Sequence, residues 1–154
     1  MPYRRCQSCQ VQMPADGFRK GQSVCVWCQF GSMEKRAKAR YADKRRQYAD
    51  KRRQSTKSIT LTKEEFVNWY CRQKDECTYC GVTFSELKQL KLKNSGGYYV
   101  SWDIDRIDSS RPYEKGNLAL SCFLCNTAKG NHLSGEEAKI VGSAIRKILR
   151  AKLK

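Results

Sequence analysis

The chain has 154 residues, with 31 Lys and Arg against 15 Asp and Glu, one His and nine Cys, a formal net charge of +16. That length leaves room for one domain or two small ones. No apolar run approaches the roughly 20 residues of a membrane-spanning helix, which excludes a helical membrane protein. So much positive charge on so short a chain points to a polyanion, nucleic acid ahead of an anionic membrane surface.

The N-terminal MPYRRCQSCQ has no hydrophobic stretch that could serve as a secretory signal, so a reducing, intracellular compartment is expected. There, nine cysteines mean metal rather than disulfides. Residues 1–32 carry two knuckles, Cys6/Cys9 and Cys25/Cys28, spaced C-x2-C-x15-C-x2-C. A two-residue spacer lets both thiolates reach one ion at about 2.3 Å, and two such pairs complete a tetrahedral Zn2+ site. Pro14, Gly17, Gly21 and Gly31 mark turns, and Phe18, Val24, Trp27 and Phe30 supply a small core.

Composition changes abruptly at residues 33–57, which hold eleven Lys or Arg and three acids, and YADKRRQ occurs twice in tandem at 41–47 and 48–54. Without Gly or Pro, and rich in Ala, Arg, Lys and Gln, the segment predicts one continuous helix. The seven-residue period stacks Tyr41 over Tyr48 and Ala42 over Ala49. Its two repeats would span about 21 Å. We read Lys44, Arg45, Arg46, Lys51, Arg52 and Arg53 as contacts to a DNA backbone, the plain alternative being a solvated spacer helix or a short coiled coil.

Residues 58–154 form a third unit. A capping box at Thr62-Lys-Glu-Glu65 opens a helix over 62–74 with Phe66, Trp69, Tyr70 and Gln73 on one face. Cys71, beside that aromatic pair, reads as a small core hydrophobe. Cys77/Cys80 and Cys122/Cys125 are the remaining knuckles, 41 residues apart, and would form a second four-cysteine zinc site. Both sites have complete ligand sets, so two structural zinc ions per chain are expected. Each contributes a net −2, which lowers +16 to about +12. After a Ser95-Gly96-Gly97 turn, strands are predicted at 98–104 and 117–121, then a helix starting at the last knuckle. A second capping box, Ser134-Gly-Glu-Glu137 with Leu133 as staple, opens the final helix. Its stripe Ala138, Val141, Ala144, Ile145 and Ile148 should face the core, with Lys139, Arg146, Lys147 and Arg150 around it. The class is α+β, a small zinc-stabilised protein.

Residues 101–131, SWDIDRIDSSRPYEKGNLALSCFLCNTAKGN, resemble the HNH, or ββα-metal, endonuclease family. The family's pattern is Asp-His ending a strand, then Asn-Leu, Cys-x-x-Cys-(His/Asn) and Lys. This chain has Asp105-Arg106, Asn117-Leu118, Cys122-x-x-Cys125-Asn126 and Lys129. CTYCGVTF, FVNWY and the N-terminal four-cysteine module extend the likeness to restriction-type members over nearly the whole chain. The resemblance implies a catalytic core of two strands and a helix, and a duplex-DNA endonuclease of bacterial or phage origin in the cytoplasm. It would act as a homodimer, because one chain carries one site and a duplex has two strands.

Phosphodiester hydrolysis calls for a hard cation with oxygen ligands. The family likeness makes Asp105 and Asn126 the ligands of one catalytic Mg2+ or Mn2+. Where the family has a basic His, this chain has Arg106, which cannot accept a proton at neutral pH. The resemblance makes Arg106 a phosphate clamp, Lys129 a contact to a neighbouring phosphate, and Asn117 a brace for the loop between strands. Tyr70 is the expected general base, a metal-bound water that ionises unaided being the other source of hydroxide, with a core aromatic beside Trp69 as the plain alternative for Tyr70. His132 reads as a surface or DNA-contacting residue. Two competing functions are a monomeric nicking or homing-type HNH nuclease and a non-catalytic zinc DNA-binding protein with a decayed site.

Overall fold

The computed structural model describes residues 2–48, 58–94 and 96–154. A short hairpin, β1 (Tyr3–Arg5) antiparallel to β2 (Gln12–Pro14), opens the chain. Its turn is the first knuckle. Cys6 N–H donates to Val11 O at 3.0 Å, and Gln10, left-handed at φ 59°, donates to Cys6 O at 2.9 Å. A 3-10 turn at Ala15–Gly17 leads to α1 (Val26–Phe30), which starts just after Cys25. Trp27 is buried and meets Phe30, Phe84 and Tyr99 edge-on at 5.5–6.1 Å, so the module is packed onto the later chain.

Helix α2 (Met33–Gln47) starts at the Ser32 cap and closes at Tyr48. The rest of the predicted basic helix, with Lys51, Arg52 and Arg53, lies outside the described residues. The heptad tyrosines dock this helix rather than form a coiled-coil seam. Tyr41 Oη donates to Leu61 O at 3.0 Å, and Tyr48 stacks on Tyr113 at 5.6 Å. Arg36, buried, forks onto Asp75 at 2.7 and 2.8 Å, donates to Gly31 O and lies over the Phe84 ring. Trp102 Nε1 donates to the same Asp75 at 2.6 Å. One carboxylate thus ties α2, the first module and the later core together, and removing it would leave a guanidinium buried without its counter-charge.

Helix α3 (Lys63–Cys71) carries the expected capping box and buries Phe66 and Tyr70. Cys71 is exposed, so it is not the core residue expected, because it falls on the side of α3 away from α2. An additional helix, α4 (Phe84–Leu90), has its own capping box from Thr83 and Glu86. The first of the two strands expected around Asp105 is shorter and later than predicted, β3 (Asp103–Arg106), antiparallel to β4 (Leu118–Ser121) with Asp105 opposite Ala119. Val100, Ser101 and Trp102 are all buried, which breaks the alternation of a strand, and Val100 N–H turns instead to Leu92 O at 3.2 Å.

Helix α5 (Phe123–Lys129) follows β4 directly, its N-terminus capped by Cys122. Helix α6 (Gly135–Ala151) starts at the Ser134–Glu137 capping box. It rests on the Cys77–Cys80 knuckle at Gly142, where a Cβ would collide with Tyr79 O. No helix among the described residues is long and apolar enough to cross a membrane.

Candidate active site

The eight knuckle cysteines gather in two clusters, Cys6, Cys9, Cys25, Cys28 and Cys77, Cys80, Cys122, Cys125, with the sulfurs of each within 4.8 Å of one another. Neighbouring Sγ atoms stand 3.9 Å apart in the first cluster and 3.8 Å in the second. A tetrahedron with metal–sulfur bonds of about 2.3 Å has edges of about 3.8 Å, whereas a disulfide needs about 2.05 Å. Both donor sets therefore fit Zn2+. In the first, burial pushes Cys25 up to about 12 with the help of neighbouring thiols. Burial also opposes ionisation of Cys6, but amide donors led by Cys25 N–H outweigh it and lower that thiol to about 6.

The second cluster builds the ground beneath a polar site. Thr78 N–H donates to Leu120 O at 2.8 Å, pinning the Cys77–Cys80 knuckle to β4, while Cys122 and Cys125 belong to the start of α5. Asp103 and Asp105 alternate onto one face of β3. Asn126 and Lys129, three apart on α5, share the helix face turned toward it. Asn126 Nδ2 donates to Asp103 Oδ2 at 3.2 Å, and Lys129 Nζ pairs with Asp105 Oδ2 at 3.3 Å. Tyr79, between the knuckle cysteines, donates its phenol to that same Oδ2 at 2.5 Å. Burial first, then the hydrogen bond to and charge of Asp105, raise the Tyr79 pKa well above the ordinary phenol value.

A carboxylate cannot donate, so Asp103 fixes which end of the Asn126 carboxamide faces it, and the carbonyl oxygen is left for another partner. Among the described residues Asp105 Oδ1 accepts no hydrogen bond, since Tyr79 and Lys129 both take Oδ2. One carboxylate oxygen and one carboxamide oxygen, presented from a strand and a helix that pack together, suit a hard divalent cation with room for further oxygen ligands.

Several expected roles change. Tyr70 is fully buried against Phe66 and Trp69, its phenol among Arg36, Arg40 and Asp75 and raised by burial; the hydroxyl has no hydrogen-bond partner among the described residues. The core alternative describes it, because its α3 position turns toward α2. Tyr79 is the tyrosine on Asp105. Its only signal in the sequence was its place inside Cys77-Thr-Tyr-Cys80. Lys129, expected on a phosphate, is 1% exposed, with its ammonium on Arg106 O at 2.8 Å, Ser109 Oγ at 3.0 Å and Asp105. Lys44 also turns inward. Its Nζ donates to Tyr113 Oη at 3.1 Å, and burial lowers its pKa.

Arg106 is buried, donates to Arg111 O at 3.1 Å and lies 5.4 Å from the Tyr113 ring centre. Asn117 Oδ1 accepts Asp108 N–H at 2.8 Å, and its Nδ2 donates to Asp108 O and Pro112 O, which clasps the β3–β4 loop. Arg45 and Arg46 are exposed on the outer side of α2, and His132 is exposed near the start of α6. Asp103, unremarked in the sequence, links the site to α2 through Arg40 at 3.9 Å.

An antiparallel strand pair, a helix seeded by a cysteine knuckle, and facing carboxylate and carboxamide groups define the ββα-metal, or HNH, class of fold. A solved structure described as the rare-cutting HNH restriction endonuclease PacI matches over 97% of this chain and 97% of its own, at 29% identity and a TM-score of 0.59. The chain is thus similar to PacI, an HNH restriction endonuclease, in sequence and fold over nearly its whole length. No family model and no curated protein matches it.

Proposed function

We propose that this protein is a divalent-metal-dependent HNH endonuclease that hydrolyses phosphodiester bonds of duplex DNA at a specific site, as a homodimer. The observation that carries the reading is Asp105, which takes Tyr79 and Lys129 on one oxygen while its strand faces the oriented carboxamide of Asn126. Asp105 and Asn126 would hold Mg2+ or Mn2+, which when bound polarises the phosphoryl group and stabilises the leaving 3′ oxygen. Asp103 keeps the Asn126 oxygen turned outward. Lys129 braces Asp105 from within. Tyr79, held protonated by burial and by Asp105, takes a proton from the attacking water on its phenol oxygen as its own proton passes to Asp105 Oδ2, to which it is hydrogen-bonded. Arg106, buried beside Tyr113, adds positive charge next to Asp105, while Arg45 and Arg46 follow the backbone from α2. The relative's DNA substrate and the charge of +16 support this assignment.

Incubation of the zinc-loaded protein with supercoiled plasmid and Mg2+ tests it. Linear product with defined ends is expected, and Asp105→Ala should abolish cutting while still retarding the DNA. The Lys129–Asp105 pair favours one second reading, a DNA-binding protein in which an internal ammonium has taken the cation's place. Retardation of plasmid without any cutting in Mg2+ or Mn2+ would establish that reading instead. Nicked circles alone would indicate a monomeric enzyme.

A further inference from the structure

Helix α4 reaches the first cysteine cluster from outside its module. Phe84 and Lys88, one turn apart, share a face of the helix. Phe84 packs on Trp27 at 5.6 Å and on Phe30 at 6.4 Å, the aromatic residues that flank Cys28 in α1. That contact carries Lys88 onto the thiols, and its ammonium donates to Cys28 Sγ at 4.0 Å across 60 positions of chain. Burial opposes ionisation of Cys9, but the Val11 amide and then the Lys88 ammonium outweigh it. Cys9 and Cys28 are the two half-buried members of the cluster, whereas Cys6 and Cys25 are buried. Among the described residues Lys88 has no carboxylate partner. The second cluster is buried throughout, and among the described residues no Lys or Arg donates to its sulfurs.

We infer that Lys88 is a positioning residue of the first metal site, whose ammonium offsets thiolate charge on Cys28 and Cys9 and so keeps zinc in the N-terminal module. The inference rests on the zinc reading of this cluster, not on the nuclease reading. Four thiolates around one divalent ion leave a net −2. In the second cluster burial alone shields that charge. In the first, solvent reaches Cys9 and Cys28, and theirs are the sulfurs that a proton, a chelator or an electrophile meets. An ammonium beside them lowers the net charge to about −1, makes both sulfurs weaker bases and covers them on the α4 side. A lysine that only lent its stem to an apolar surface would turn its ammonium to water, whereas this one ends on sulfur. Partners in the shell around metal ligands typically contribute about 10–100-fold to metal affinity. Since Lys88 belongs to the later chain, zinc retention in the N-terminal module depends on how the two pack together.

Zinc release from the full chain into excess pyridylazo-resorcinol, after a metal count, tests the assignment. Two zinc ions per chain and two release phases are expected, the phase of the first cluster being the one lost in Cys6→Ser. Lys88→Met keeps the length of the stem, so a packing role would leave release unchanged. Loss of the charge should instead accelerate the first cluster's phase by about 10–100-fold and leave the other phase as it was. Lys88→Glu should be faster still. Should that variant fail to fold, cobalt-loaded Lys88→Met gives an independent reading. Its thiolate-to-cobalt absorption should move to longer wavelength, because a sulfur without a cation beside it gives up an electron more readily. An unchanged first-cluster phase in Lys88→Met, an equal acceleration of both phases, or an unmoved cobalt band would overturn the proposal. A count of one zinc per chain would overturn the zinc reading of this cluster and the proposal with it, and would leave the endonuclease reading standing.

Discussion

The two four-cysteine clusters share a knuckle chemistry but differ in what they hold. The first closes the N-terminal module, with Cys9 and Cys28 half-buried and a hairpin, a 3-10 turn and a one-turn helix built around it. The second has all four cysteines buried, and each knuckle performs a second task. Cys77-Thr-Tyr-Cys80 aims Tyr79 at Asp105, and Cys122 caps the helix that carries Asn126 and Lys129. The same four-cysteine set can thus either fasten a small core or align the polar side chains beside it. What decides is whether side chains between and beside the ligands point into a site.

Breaking each cluster in turn tests the contrast most strongly. Cys77→Ser should unfold residues 58–154, since zinc in such sites contributes on the order of 10 kcal/mol to folding. Cys6→Ser should lose one zinc and destabilise only the first module. Thermal melts with a colorimetric count of released zinc would read both. If the two variants melt alike, the distinction fails.

Next in size is the contrast between two tyrosines. Tyr79→Phe should reduce cleavage by about 10²–10⁴-fold, in the range of lost proton transfer. Tyr70→Phe should leave the rate within a few-fold. It should also be neutral or stabilising by up to about 1 kcal/mol, because it removes a buried hydroxyl with no partner among the described residues. Single-turnover cleavage and denaturant titration would check these values. A reversed order would return proton transfer to Tyr70.

Smaller effects probe how the second cluster is held. Gly142→Ala would press a methyl into Tyr79 O and should cost about 1–3 kcal/mol despite the better helix propensity of Ala. A stability gain would mean that the knuckle yields freely. Arg45→Ala with Arg46→Ala should do least. The slope of log affinity against log salt should fall by about 2, with cleavage at saturating protein unchanged. An unaltered slope would make the outer face of α2 a solvated surface.

Residues near one another in the chain declared most of the local structure. The knuckles, the Thr62–Glu65 and Ser134–Glu137 boxes, and the order of strand, strand and helix at Asp105, Asn117 and Cys122 all rest on interactions within a few positions. The unread α4 carries the same signal at Thr83 and Glu86, so it too was legible. The longer strand expected at 98–104 was not excluded locally, since only packing shows three consecutive residues buried there.

What the sequence determined by itself were the paired cysteines, the capped helices and the basic charge, because spacing and composition act at short range, and residues 101–131 carried the likeness to the HNH pattern. Tertiary structure alone decided which tyrosine meets Asp105, across 26 positions. It also turned Lys129 and Lys44 inward and left Val141 and Ile148 of the α6 stripe exposed. Those outcomes depend on which faces meet once elements distant in the chain pack. A helical or strand period says that a side exists, and the neighbour that covers it is a property of the whole fold.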